Sequence, residues 1–253
     1  MLRNAEDSVP YTHRNNSAIN RNLKGLHMIE FLLLDLDDTI LDFHKAERLA
    51  IAKTFRSFGI DPTEEVLSRY HVINKHCWEQ LEKNVWTRDE VLVRRFELLF
   101  AEYGVNCDGA AVAKAYEKNL SIGHYFMPGA EEAVKRLHQK YRLFLCSNGT
   151  ASVQHGRMTS AGLYPYFEKV FVSQAIGYNK PSVEYFDRCF AQIPGFDKTK
   201  AIMVGDSLSS DIQGGINAGV RTCWVNPDHA VGSIKADYEI EALHQLEALL
   251  ETM

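Results

Sequence analysis

Asp35, Asp37 and Asp38 stand almost side by side at the end of an apolar run, in IEFLLLDLDDTILDF from Ile29 to Phe43. Carboxylates crowded at one strand end repel each other and resist desolvation, so they need a counter-charge. Three later places carry complementary chemistry: Ser147-Asn148-Gly149 ends YRLFLCSN and begins a turn, Lys180 lies in GYNKPS, and Asp206 and Asp211 lie in GDSLSSDI. Hard oxygen ligands gathered this way suit Mg²⁺, which takes one or two carboxylates and keeps several waters. Beside such a cation Asp35 stays ionised and can attack phosphorus, giving an aspartyl-phosphate and dividing one hard hydrolysis into two steps. Asp37 can protonate the leaving oxygen and then activate water. Ser147 and the N–H groups beside it suit phosphoryl oxygens, and Lys180 adds positive charge. Asp206 is expected to hold the metal. Asp211 ligates through water, orients the ligands, or is a helix N-terminal charge only. Asn148 and Gly149 bind phosphate or fix a turn. Asp38 is expected to be solvated or bonded to backbone, and Asp42 to be a helix N-cap or part of a flap over the site.

These residues must be carried by strands. The runs IEFLLLDL, YRLFLCSN, KVFVSQ, AIMVGDS and RTCWVN are short, apolar and β-rich, as buried parallel strands are. Helical periods over Gly129 to Lys140, Val153 to Ala161, Val183 to Ala191 and Ser210 to Ala218 separate the later runs, with Gly162 and Gly219 as stops. Such alternation predicts an open α/β sheet, which places its site at the carboxyl ends of the strands.

From Phe43 to Met127, 85 residues break the alternation. They carry helical periods over His44 to Phe58, Thr63 to Glu82, Thr87 to Tyr103 and Asp108 to Tyr125, with Thr63 and Thr87 as N-caps. A helical domain over 43–127 is therefore expected as an insertion into a core made of 28–42 and 128–253, with hinges near Phe43 and at Met127-Gly129. Asn74 and Trp78 are four apart and share a helix face, where an amide and an aromatic suit the edge and face of a nucleobase. Trp78 also fits as interior packing. Arg95, beside Phe96, fits a substrate contact, an interdomain contact or a surface charge.

A formal charge of −5 over 253 residues gives no basic field for nucleic acid, and Arg94-Arg95 is too short to make a patch. With 45% apolar and 24% charged residues the chain can bury a core and stay soluble. The longest apolar runs fall well short of the roughly 20 residues of a membrane span. Five scattered cysteines, without CxxC spacing, read as reduced thiols, hence a cytoplasmic protein. A monomer or a homodimer is expected. Ten histidines form no zinc-spaced pair. Residues 1–27, rich in Asn and Arg, lack the apolar block of a secretory signal and read as a leader before a start at Met28, or as a short basic arm.

In this order and strand context, DLDDT, SNG, KP and GDSLSSDI resemble the four motifs of the haloacid dehalogenase superfamily, over Met28 to about Glu241. The resemblance implies a Rossmann-like core of strand order five-four-one-two-three, a cap between the first and second motifs, Mg²⁺, and a phosphoaspartyl mechanism. It gives Asp35, Asp37, Ser147, Lys180 and Asp206 the roles above, with Asp37 also binding the metal through its carbonyl. LDLDDTILDFHKAE, INKHCWEQLEKN with RRFELLF, and SNGTASVQHGRMTSAGLYPYF are similar to a bacterial subgroup of nucleoside 5′-monophosphate phosphatases, often acting on pyrimidines and modified bases. Where that subgroup has a glycine-like turn after the second cap helix, this chain reads EKNVWT, with Asn84 and Trp86. The same core serves sugar-phosphate and phosphoglycolate phosphatases and phosphomutases, because the cap chooses the substrate. A dehalogenase has no leaving oxygen to protonate and no need of an acid at Asp37. A phospho-accepting signalling module shares the acids, hydroxyl and lysine but is about half this length and lacks the cap.

Overall fold

A computed structural model of the chain describes residues 29–253, so the expectations for residues 1–27 and for Met28 lie outside the described residues. Phe31–Leu34 (β1) is buried on both faces and is central to the sheet. Four helices follow: Phe43–Ser57 (α1), Glu64–Glu82 (α2), Arg88–Tyr103 (α3) and Gly109–Leu120 (α4). The chain then alternates through Ala130–Leu137 (α5), Arg142–Ser147 (β2), Ala151–Ser160 (α6), Lys169–Val172 (β3), Ser173–Ile176 (α7), Val183–Phe190 (α8) and Ala201–Gly205 (β4). A π-type turn at Leu208–Ile212 leads into Gln213–Ala218 (α9), then Arg221–Val225 (β5), Tyr238–Ile240 (β6) and Leu246–Leu250 (α10).

The strands pair in parallel in the order β3-β2-β1-β4-β5-β6. This is the expected five-strand order with one more strand, β6, at the β5 edge. Strand periodicity divides the core into two layers. Leu32 and Leu34 pack with α5, α6 and α10, whereas Phe31 and Leu33 pack with α8 and α9. Among the described residues no helix is long and apolar enough to cross a membrane. All five cysteines are free thiols.

The four inserted helices have a core of their own, to which α6 contributes Val153. Tyr70 and Phe96 stack with centroids 5.3 Å apart, and Tyr116 meets both rings edge-on. Asp42, Thr63, Thr87 and Asp108 cap the four helices with their side chains, Thr87 within a capping box with Glu90. After α2, Asn84 has φ 56°. Asparagine tolerates this left-handed conformation better than most residues, so the turn keeps a glycine-like backbone without glycine. α4 stops at Leu120, five residues before its expected end, because the chain is needed elsewhere. The Tyr125 carbonyl accepts Asp42 N–H at 2.7 Å and Met127 N–H donates to the Ile40 carbonyl at 2.9 Å. The two linkers to the helical unit thus run as an antiparallel pair, joined by the Leu41–Phe126 bridge.

Candidate active site

After β1 the chain builds β2 and β3 on one side, then crosses back to lay β4 on the other, so the crevice between β1 and β4 is the topological switch point. Leu34 lies opposite Val204, and Asp35 N–H donates to the Val204 carbonyl at 2.9 Å. The sheet itself therefore sets Asp35 beside Asp206. Carboxylate oxygens of Asp35, Asp206 and Asp211 all lie within 4.8 Å of one another.

Lys180, 1% exposed, reaches into this group. Its Nζ donates at 2.6 Å each to Asp35 Oδ1, Asp211 Oδ1 and the Cys146 carbonyl, which uses all three ammonium hydrogens. Burial opposes its charge, but Asp211 and Asp35 hold its pKa above the ordinary lysine value. Burial pushes Asp35 up to about 8; Lys180 pulls it down, while Asp211 and Asp37 push it further up. Asp206 is likewise driven well above the usual carboxylate range by loss of water and by Asp211, Asp35 and Asp38. One lysine cannot neutralise three carboxylates, and a divalent cation on these hard oxygens would supply the missing charge. The three do not stand equally. Asp211 Oδ2 also accepts Ser207 N–H at 3.1 Å, whereas among the described residues the Asp206 carboxylate accepts only a long 3.5 Å bond from Thr39. Gly205 is required under Asp211, since a Cβ there would overlap the carboxylate.

A second group lies alongside. Ser147 is buried, and Gln154 Nε2 donates to its Oγ at 2.8 Å and to Asp37 Oδ2 at 2.6 Å. Arg157, with no exposed surface, donates from Nη1 to Asp37 Oδ1 and from Nε to the Gly123 carbonyl at 3.0 Å. Both oxygens of Asp37 are thus held, and a proton transfer there must release one partner. The Asn148 amide clasps the Lys180 backbone, accepting its N–H at 2.8 Å and donating to its carbonyl at 2.9 Å. Of the two expectations for Asn148, the side chain takes the turn-fixing one, while Asn148 and Gly149 both line the site. Asp38, at φ 56°, accepts from Phe43 N–H at 2.8 Å and His44 N–H at 3.3 Å. Burial raises its pKa to about 6 against the pull of His44. Asp42 is an N-cap, accepting Lys45 N–H at 2.8 Å.

The helical unit roofs this group and leaves a cavity of about 260 Å³, to which Trp78, Leu92, Arg95 and Glu117 contribute. Asn74, expected at a base edge, does not line it. Its Nδ2 donates to Glu47 Oε1 at 2.6 Å, and its Oδ1 accepts Trp78 Nε1 at 3.1 Å and Arg95 Nη1 at 3.0 Å. Asn74 is therefore a bracket that holds Trp78 and Arg95 from behind. Arg95 is 2% exposed, which removes the surface-charge expectation. Trp78 is partly buried, packed against the cap core and facing the cavity, so the two expectations for it describe two sides of one ring. His44, Glu47 and His71 also lie within ligand distance of one another, but the two Glu47 oxygens are already bonded to Asn74 and His71.

Four contributors escape sequence reasoning. Gln154 and Arg157 are polar positions on a helix, and nothing local distinguishes them from a solvated face. Arg88, first residue of α3, donates from Nη1 to the Asn148 and Gly149 carbonyls at 3.2 and 2.9 Å, and from Nη2 to Ser173 Oγ and Asn179 Oδ1 at 2.6 Å each. Glu117 is the fourth.

A protein family model described as haloacid dehalogenase-like hydrolase matches residues 32–225. The crystal structure of YfnB from Bacillus subtilis, described as a HAD-hydrolase bound to magnesium that reveals interdomain movement, is similar with TM-score 0.84 and 40% identity, over 88% of this chain and 99% of that one. Pyrimidine 5′-nucleotidase PynA of Streptococcus pneumoniae is 36% identical over 86% of this chain and 93% of its own length. Pyrimidine 5′-nucleotidase YjjG of Escherichia coli is 29% identical over 87% and 97%. The parallel sheet with acids at its switch point and the family match over most of the sheet agree: the chain belongs to the haloacid dehalogenase-like hydrolases.

Proposed function

We propose that this hydrolase is a Mg²⁺-dependent phosphatase of nucleoside 5′-monophosphates that works through phosphorylation of Asp35. What carries the reading is the convergence of Asp35, Asp206 and Asp211 within 4.8 Å, around one buried lysine, under a cavity walled by Trp78 and Arg95. The names of PynA and YjjG support the nucleotide, and the magnesium of YfnB supports the metal. Asp35, Asp206, Asp211 and the Asp37 carbonyl would hold the ion, which when bound supplies positive charge for the phosphoryl oxygens.

Lys180 keeps Asp35 oriented and its charge matched. An Asp35 oxygen attacks phosphorus, the P–O bond to the nucleoside breaks, and the leaving oxygen takes a proton from Asp37. A water then attacks the phosphorus, yields its proton to Asp37, and the bond to Asp35 breaks, releasing phosphate. Ser147 and the N–H groups near Asn148 and Gly149 receive the phosphoryl oxygens. The cavity roof excludes water while the first step proceeds.

The experiment is phosphate release from uridine 5′-monophosphate by wild type and by Asp35→Asn. The amide keeps the size but not the nucleophile, so activity should fall by about a thousandfold or more with an unchanged circular dichroism spectrum. Near-normal turnover by folded Asp35→Asn rules out the covalent route. Excess chelator should abolish release, and full activity in chelator removes the metal from the account.

A further inference from the structure

Glu117, on α4, stands in an unusual position for a carboxylate. It lines the site cavity, its Oε1 is sealed from solvent, and that oxygen accepts no hydrogen bond from the described residues. No ion pair satisfies it among the described residues; Arg88 feels its charge from a distance but spends its own hydrogens on Asn148, Gly149, Ser173 and Asn179. A buried acceptor left unpaired destabilises the fold, and such positions call for a missing partner.

Arg95 offers the complementary group in the same cavity. Its Nη1 is bonded to Asn74 and its Nε to the Leu92 carbonyl at 3.2 Å, so the bonds that fix it leave Nη2 for the cavity. Glu47 locks Asn74, so the guanidinium is held from behind by a chain of buried bonds. The cavity wall thus carries a fixed donor and a carboxylate whose two oxygens exchange by rotation about the Cγ–Cδ bond, one of them sealed and unpaired, with the Trp78 ring as a flat flank and Leu92 and Leu120 as apolar surface.

We propose that Glu117 and Arg95 together recognise the imide edge of a uracil or thymine base: Glu117 accepts the ring N3–H and Arg95 donates to a flanking carbonyl oxygen. A carboxylate only accepts and a guanidinium only donates, so the pair matches a ring N–H set beside C=O. Trp78 supplies a surface for stacking. This assignment rests on the nucleotide reading above and names the part of the nucleotide that the cap distinguishes.

The test compares uridine 5′-monophosphate, its N3-methyl analogue and acetyl phosphate, in wild type and Glu117→Met. Wild type should prefer the unmethylated nucleotide by about 10- to 100-fold in kcat/KM, the worth of one buried bond to a charged group. Glu117→Met should abolish that preference and lower the ratio of uridine monophosphate to acetyl phosphate turnover by a similar factor. It should also raise the melting temperature, because an unpaired buried oxygen is gone; this readout needs no substrate. A lower melting temperature, with both substrates falling together, makes Glu117 a structural part of α4 and overturns the assignment. Wild-type preference surviving in Glu117→Met overturns it alone. Wild type that releases phosphate from acetyl phosphate but from no nucleotide overturns the nucleotide reading, and the assignment with it.

Discussion

Arg88 is the cap residue whose loss is simplest to work through. Its guanidinium makes four hydrogen bonds to the core, two to the carbonyls of Asn148 and Gly149 and two to Ser173 and Asn179. Burial lowers its pKa to about 10, so it remains charged at neutral pH. A charge-assisted bond is worth about 1.5–3 kcal/mol net, but four from one partly buried fork share a single ordering cost and are partly screened, so the latch is worth about 3 kcal/mol in all. If the helical unit opens and closes as a body, removing about 3 kcal/mol shifts its closed-to-open ratio by roughly 150-fold. If the wild type favours closure by about tenfold, roughly one Arg88→Ala molecule in sixteen stays closed, and kcat/KM falls roughly 15-fold. The latch grips the core rather than the base, so acetyl phosphate and uridine monophosphate should lose alike. Arg88→Lys keeps the charge but not the fork and should fall between. The assay is kcat/KM on both substrates, with small-angle scattering to follow cap opening. Values within twofold of wild type on both substrates refute the latch. A loss confined to the nucleotide makes Arg88 a base contact instead.

Asp206→Ala should raise the Mg²⁺ concentration needed for half activity more than Asp211→Ala does, since Asp206 is nearly free of other bonds whereas Asp211 is held by Lys180 and Ser207. Asp211→Ala should instead cost about 2–3 kcal/mol of stability by weakening the partnership of a buried lysine, and the reverse ranking in a metal titration and a melt transfers the direct ligand to Asp211. His71 has its pKa raised by its bond to Glu47, against partial burial, with Asp38 reinforcing and Lys75 opposing the shift, while the His44 ring abuts it. A raised folded value means the bond contributes fully below about pH 6.5 and is lost as pH rises through the folded value. The melting-temperature gap between wild type and His71→Gln should thus be widest near pH 5 and close as pH rises through the raised folded value; a gap that widens with pH contradicts the pairing.

The strand ends were legible because two signals coincide there: an apolar run that must be buried, and acids that must not be buried alone. Asp35 and Asp206 needed only the rule that parallel strands deliver their site at one edge. β6 was missed because Tyr238–Ile240 is too short to show a period, and its one buried side chain is Ile240. The early end of α4 was missed because the helical pattern runs on past Leu120, while the hydrogen bond that claims Tyr125 comes from Asp42, 83 positions earlier. Asn74 shows the limit most clearly. Its spacing from Trp78 placed both on one helix face, as they are. Which of them meets the cavity depends on Glu47 and Arg95 from two other helices, and no spacing within α2 carries that.

Arg157 and Arg88 bear on why the cap cannot be treated as a mere lid over finished chemistry. Arg157 holds Asp37 with Nη1 and, with Nε, the carbonyl of Gly123, which lies on the linker returning from the cap. Arg88 starts on the cap and ends on the carbonyls of the loop whose N–H groups are proposed to receive the phosphoryl oxygens. A rigid rotation of the helical unit about its paired linkers would move Gly123 and Arg88 together, while Asp35 and Asp206 would stay fixed by the ladder between β1 and β4. The sheet would thus keep Asp35, the proposed nucleophile, and Asp206 constant through any such motion, and Asp37 and the Asn148-Gly149 loop are the parts whose hydrogen bonds would depend on cap position. This division suits the two-step hydrolysis proposed above. In that scheme the Asp35 nucleophile must be ready before substrate arrives, whereas Asp37 should be free to exchange a proton only when the cavity is sealed.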